Sequence, residues 1–348
     1  MPQSRPAFVI SGQSIAPGTR KVIDLPVSRL SDHTPVSMSV QVIHGRKPGP
    51  VMFVSAAIHG DEVIGVEIVR RLLRARPLQS MAGTLLAVPI VNAFGFLNQS
   101  RYLPDRRDLN RCFPGHSSGS MASRLADIFM TEIVARSDVG IDLHSAAIRR
   151  TNLPQIRLTP GNEKLAVLGQ AFGAPVMLQS SIREGSLREA AEKRGIDVLL
   201  YEAGEGLRFD EYAARVGVAG ILRVMRALDM VPARGVPKPA APPIMSRKSS
   251  WYRASSGGLL RTLVPLGGVV EAGTLLGLIS DPFGDVETEV VAEETGIVIG
   301  RSNFPVVYEG DALFHVAAIA RTAQAEATRD GIVEGMEAAP LFDEDEII

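Results

Sequence analysis

The apolar positions of this chain fall into short unbroken runs, and several of these runs end on a histidine, an asparagine or a glutamate. Residues 51–58, VMFVSAAI, are bounded behind by Pro48-Gly49-Pro50 and lead into His59-Gly60-Asp61-Glu62. A run without polar alternation predicts a strand buried on both faces, as in a parallel or mixed sheet under helices. Helical spacing begins directly afterwards: Val63, Val66, Val69 and Leu73 recur opposite Glu67, Arg70, Arg71 and Arg74, the pattern of a helix with one face on a core. Residues 84–91, TLLAVPIV, make a second buried run ahead of Asn92, with Pro89 counting against a regular central strand. Residues 138–145, DVGIDLHS, repeat the device and end on His144, residues 175–179 give a further strand, and residues 197–200 lead into Tyr201-Glu202. Helices are expected over 121–135 and 211–228. In open α/β sheets ligands bind beyond the carboxyl ends of the strands, so His59, Asn92, His144 and Glu202 are expected along one edge of the molecule.

The rest of the chain is organised around this unit. Residues 1–50 hold short β-like runs at 8–10 and 36–43, expected as antiparallel strands, with His33 and His44 beside turn residues in a polar setting that predicts solvated side chains. A long loop, 97–120, is dense in charge and carries Arg101, Arg106, Arg107, Asp108, Asn110 and Arg111. Loops of that length are functional more often than idle, and a guanidinium fork with an adjacent amide can take a carboxylate. A Pro-rich connector at 231–244 precedes a change of character, in which residues 258–279 are echoed by residues 296–316. That two-fold repeat resembles the barrel-sandwich fold of biotinyl and lipoyl carrier domains. Where carriers have their modified lysine this chain reads Asp281-Pro-Phe-Gly-Asp-Val-Glu287, so a swinging arm is not expected. His315 is read as structural, since no carboxylate accompanies it in the sequence. The expected organisation is therefore an α/β domain with an N-terminal β segment over 1–235, a small all-β domain over 236–320, and an acidic tail over 321–348, in which residues 322–348 have one arginine against eight acidic residues and are read as solvated.

Composition narrows the function. With 45% hydrophobic residues in 348, the chain can bury a full core. A net charge of -1 gives no field to recruit nucleic acid or an anionic membrane. No basic segment with an apolar run opens the sequence and no stretch is apolar enough to span a bilayer, so a cytoplasmic location is expected, with a homo-oligomer left open. One cysteine, Cys112, excludes an intramolecular disulfide framework and a cysteine-rich metal site. A metal, if held, would have histidine and carboxylate ligands. Two histidines and a carboxylate with an open position suit catalytic zinc, and His59, Glu62 and His144 supply that set. Glu202, at a strand end before Gly204, is the candidate general base, with Glu205 the alternative.

Taken together, HGDE, NAFG, DLNR, DLHS and YEAGE in this order and spacing resemble the succinylglutamate desuccinylase/aspartoacylase family, relatives of the zinc carboxypeptidases, over roughly 50–228. The resemblance implies a mixed, mostly parallel sheet flanked by helices of the zinc carboxypeptidase type, and one Zn2+ per chain on His59, Glu62 and His144. It places the general base at Glu202 and the substrate carboxylate on Asn110 and Arg111. The family's carbonyl-polarising arginine falls on Arg101, although the gap in RYLPDRRDLNR is longer in this chain and Arg107 lies nearer the DLNR segment. The implied substrate is a small, carboxylate-bearing N-acyl amino acid of acetyl or succinyl type. A zinc carboxypeptidase acting on peptides and a non-catalytic binding protein of the same fold are the competing readings.

Overall fold

The computed structural model describes residues 5–319, 330–332 and 334–335. Most of the acidic tail expected over 321–348 lies outside the described residues. At the centre, strands Ala82–Val88, Lys47–Ala56, Val139–Ala146 and Asp197–Glu205 lie side by side and parallel. Antiparallel strands flank them: Thr19–Arg29 and Pro35–His44 beyond the first, and Arg150–Leu158 beyond the last. The fold class is thus α/β with a large mixed sheet and an antiparallel β-rich C-terminal region.

Both faces of the central strands are buried, as their unbroken apolar runs require. Met52, Val54 and Ala56 pack on one face with Ile64, Ile68 and Leu72 of the helix Ile64–Leu72, Phe172 of Glu163–Phe172, and Ile221 and Met225 of Glu211–Ala227. Phe53 points the other way, edge-on to Phe129 of the helix Met121–Glu132 with ring centroids 5.7 Å apart. Each large apolar side chain buried this way contributes about 1.5–3 kcal/mol. The first helix does not bury the whole stripe expected of it: Ile64, Ile68 and Leu72 are buried, while Val63, Val66 and Leu73 are only partly so. Apolar residues occupy two helical stripes, and contact with the sheet and the helix Glu211–Ala227 decides between them.

Other departures have equally local causes. The strand containing Val51 starts earlier, at Lys47, and passes through Pro48-Gly49-Pro50 with a register shift between Lys47 and Val51, the irregularity that prolines tolerate in a ladder. The second run ends at Val88, before Pro89. His44 is buried rather than solvated, its ring 2.8 Å from Thr84 Oγ1 and 3.0 Å from the Pro6 carbonyl oxygen.

The C-terminal region is built into the same sheet. Ile244–Ser246 pairs with Val176–Gln179, and Gly296–Ser302 pairs with Arg150–Leu158 and then with Ala312–Ala318, which Ser249–Arg253 completes. A separate four-stranded antiparallel sheet, containing Gly258–Thr262, Leu275–Ser280, Glu287–Val291 and Val306–Val307, covers it. Leu260, Leu276, Ile279, Val298, Leu313 and Phe314 fill the space between. Among the described residues, no helix is long and apolar enough to cross a membrane.

Candidate active site

His59, Asn92, His144 and Glu202 stand at or just beyond the carboxyl ends of the four adjacent parallel strands, where the sequence pattern places them. Glu202 and His144 are directly paired across the ladder. The turn after the first strand is held by its neighbour: Asn92 accepts a hydrogen bond at Oδ1 from Gly95 N–H, 2.8 Å, and donates through Nδ2 to the Ile58 carbonyl, 3.3 Å. Glycine is required at position 60 because a Cβ there would fall on the backbone of Gly95 and Phe96. The HGDE and NAFG segments are therefore one interlocked unit.

Three donor groups converge on it. His59, Glu62 and His144 each offer a ligand atom within 4.8 Å of the others, all three side chains being buried. His59 Nδ1 is 2.7 Å from Glu62 Oε1, and His144 Nδ1 is 2.7 Å from Glu62 Oε2. Each imidazole has a second carboxylate on its other nitrogen. His144 Nε2 lies 2.7 Å from Asp142 Oδ2, whose other oxygen accepts from Ser55 Oγ at 2.7 Å, and His59 Nε2 lies 3.0 Å from Asp108 Oδ1. Such outer carboxylates fix the tautomer and the ring plane of metal-binding histidines. Burial opposes charge on Glu62, but the flanking imidazoles outweigh it and hold the carboxyl far below its usual range. Burial likewise works against protonated His144, yet Asp142 and Glu62 keep its pKa well above the ordinary value. Two imidazoles and a carboxylate, drawn together with matched outer carboxylates, fit a divalent cation in donor type and charge.

A cavity of about 140 Å³ opens over this cluster. Arg101, Asn110, Arg111 and Glu202 line it, so the structure brings these sequence-identified residues together with the three metal-ligand candidates. Arg101 reaches Asp108 Oδ2 at 3.0 Å and Glu62 Oε1 at 3.4 Å. Asn110 accepts from the Leu187 N–H at 2.9 Å, which leaves its amide N–H groups for a ligand. Arg107 is not among the lining residues; it is exposed and lies 3.7 Å from Asp105. Glu205 is also outside the lining, its carboxylate accepting from Arg149 N–H at 2.7 Å and Asn303 Nδ2 at 2.9 Å.

Sequence reasoning named Asp108 only as a member of the charged loop, without its contact to His59, and it missed Asp142, Arg157 and Arg188. The first two were legible as Asp-x-Asn-Arg and Asp-x-His, the latter putting both side chains on one side of a strand. Arg157 comes from Arg150–Leu158, whose sequence RTNLPQIRL reads as neither strand nor helix. Its guanidinium lies 3.3 Å from Glu202 Oε1, while Asn152 Nδ2 donates to Glu202 Oε2 at 2.8 Å. Arg188 donates to the Ser180 carbonyl at 3.0 Å, and burial followed by the nearby Arg157 charge pushes its pKa down to about 10.

A family model for the succinylglutamate desuccinylase/aspartoacylase catalytic domain matches residues 48–228, more than half of the chain. The chain belongs to the succinylglutamate desuccinylase/aspartoacylase family. Among curated members and relatives, N-alpha-acetyl-L-2,4-diaminobutyric acid deacetylase of Halomonas elongata is 27% identical over 85% of this chain and 90% of its own length. Succinylglutamate desuccinylase of Pseudomonas aeruginosa is 30% identical over 51% of this chain and 50% of its own. In structure, a succinylglutamate desuccinylase/aspartoacylase family protein from Rhodobacter sphaeroides superposes with a TM-score of 0.76 at 25% identity, covering 87% of this chain and 95% of that one.

Proposed function

We infer that this family member is a zinc-dependent amidohydrolase that removes the acyl group from a small N-acyl amino acid. The observation that carries the reading is the buried convergence of His59, Glu62 and His144 beside Glu202 in a cavity that also presents Asn110 and Arg111. The deacylases among its relatives support the reaction class.

Bound by His59, Glu62 and His144, zinc would supply Lewis-acid polarisation and a water acidified into the neutral range. The chain's own residues then divide the work. Asn110 and Arg111 hold the substrate carboxylate, the guanidinium and amide matching its planar pair of oxygens. Arg101, anchored by Asp108, directs its charge at the oxygen that becomes negative as the carbonyl is attacked. Glu202 accepts the water's proton and returns it to the leaving amine nitrogen. Arg157 and Asn152 each occupy one oxygen of Glu202 and fix its orientation.

Elemental analysis of protein purified without chelator is expected to give one zinc per chain, with His59→Ala and His144→Ala losing both metal and turnover. The zinc-loaded protein is expected to cleave acetyl- or succinyl-amino acids and not dipeptides. Cleavage of dipeptides in preference would move the assignment to a carboxypeptidase, and metal retention by the double variant would remove the site.

A further inference from the structure

Beyond Glu202 and Arg157 lies an outer chamber of about 480 Å³, one wall of which comes from the C-terminal β region. The two spaces share Ser145, Arg157, Ser180, Arg183 and Glu202 in their walls. Among the described residues, three arginines line the outer chamber besides Arg157: Arg150, Arg183 and Arg253. Among the described residues, Glu202 is its one acidic lining residue, and both of its oxygens are already engaged by Arg157 and Asn152. Among the described residues, Arg150 and Arg183 have no carboxylate partner, and Arg253 donates only to the Gly310 carbonyl at 2.8 Å.

The chamber is also shaped. Arg150 lies over the Trp251 ring, 5.6 Å from its centroid, and the indole is itself stacked on His315 at 4.5 Å with 10° between planes. His315 is fixed from behind by Ser249 Oγ, 2.8 Å from its Nε2. This stack holds the guanidinium in position without neutralising it. Ala146, Ala147, Leu178 and Ala312 supply an apolar wall that suits methylene groups. A ligand entering the chamber meets an aliphatic surface bordered by unpaired guanidinium charge, which favours a carboxylate at the end of a short chain and disfavours an ammonium group.

We propose that this outer chamber is a second recognition site, in which Arg150, Arg183 and Arg253 bind a distal carboxylate of the substrate. The assignment rests on the deacylase reading, with the first carboxylate on Asn110 and Arg111. It makes the C-terminal β region part of the specificity apparatus. A distal carboxylate can belong to the acyl chain or to the amino-acid side chain, and both present the same chemistry to the arginines.

The test compares N-acetylglutamine, N-acetylglutamate, N-succinylglutamine and N-acetyl-2,4-diaminobutyrate as substrates of the zinc-loaded wild type, Arg150→Gln and Arg253→Gln. One of the two compounds with an added carboxylate is expected to have a kcat/KM at least tenfold above N-acetylglutamine, and which one it is identifies the source. The diaminobutyrate compound is expected to be poorest. Each substitution should erase most of that preference, chiefly through KM. A wild type without the preference, or a preference that survives both substitutions, overturns the proposal. Binding of glutarate, measured by calorimetry, separates the two levels. If no acyl amino acid is cleaved but glutarate binding weakens tenfold in either variant, the chamber stands and the deacylase reading falls. Glutarate binding insensitive to both variants overturns the chamber.

Discussion

Glu62 is 2% exposed and meets an imidazole nitrogen on each of its oxygens, so its neighbours decide whether its charge is tolerable. Asp142 and Asp108 extend the same logic outward, each anchoring one histidine. Asp142→Asn is expected to lower zinc affinity by roughly 10–100-fold, as removal of outer carboxylates does elsewhere, while the fold is kept; competition with a chromophoric chelator measures it, and unchanged affinity would mean that Asp142 does not orient His144 for the metal. For Glu202 the outcome is different. Glu202→Gln is expected to retain the metal but lose on the order of a hundredfold or more in kcat, because the amide cannot take a proton. Turnover near that of wild type would shift the base to another group. The histidines and Glu202 were legible in the sequence because each closes an apolar run. Arg157 was not, since a polar stretch interrupted by Pro154 hides the strand that carries it.

At the scale of elements, the site depends on two turns fitting into each other. Gly60 has no room for a methyl group against Gly95 and Phe96, and Gly95 in turn lies against the Asn92 side chain and the Ser100 carbonyl. Gly60→Ala is expected to destabilise the protein by about 1–3 kcal/mol through overpacking and to depress activity further by displacing His59 and Glu62. Urea unfolding and turnover on the same preparation check both parts, and a variant with wild-type values in each would contradict the interlock. The helix ends were readable after the fact: Asn162 and Asp210 cap Glu163–Phe172 and Glu211–Ala227 through side-chain bonds of 2.9 Å and 2.8 Å. The helix Glu163–Phe172 and the short Leu187–Glu192 escaped the sequence reading. Leu187–Glu192 is positioned in part by the bond from the Leu187 N–H to Asn110, 77 residues away in the chain.

At the scale of the whole molecule, the C-terminal strands extend the central sheet and bring His315 and Trp251 to the wall of the outer chamber. His315 is packed against Trp251, bonded to Ser249, and faces the Arg157 charge. Burial, with Arg157 as the lesser cause, pushes its pKa down from 6.5 to about 3. The unfolded chain therefore takes up this proton first as pH falls, so the stability contributed by neutral His315 is present above about 6.5 and is lost between 6.5 and 3. Chemical denaturation across that range is expected to give a shallower acid slope for His315→Asn than for wild type; equal slopes would exclude this linkage.

The sequence by itself determined the central strands and the edge on which the chemistry lies, because unbroken apolar runs demand burial on both faces and a parallel strand presents its carboxyl end to ligands. It also carried the five motifs that mark the family. Only the tertiary structure decided which stripe of the first helix faces the sheet, that Arg101 rather than Arg107 lines the cavity, and that Glu205 is occupied elsewhere. Those outcomes depend on contacts between residues far apart in the chain, such as Asp108 with His59 and Asn303 with Glu205. Periodicity and spacing describe what one segment prefers, whereas the partner of a charged side chain is fixed by which segments the sheet order brings together.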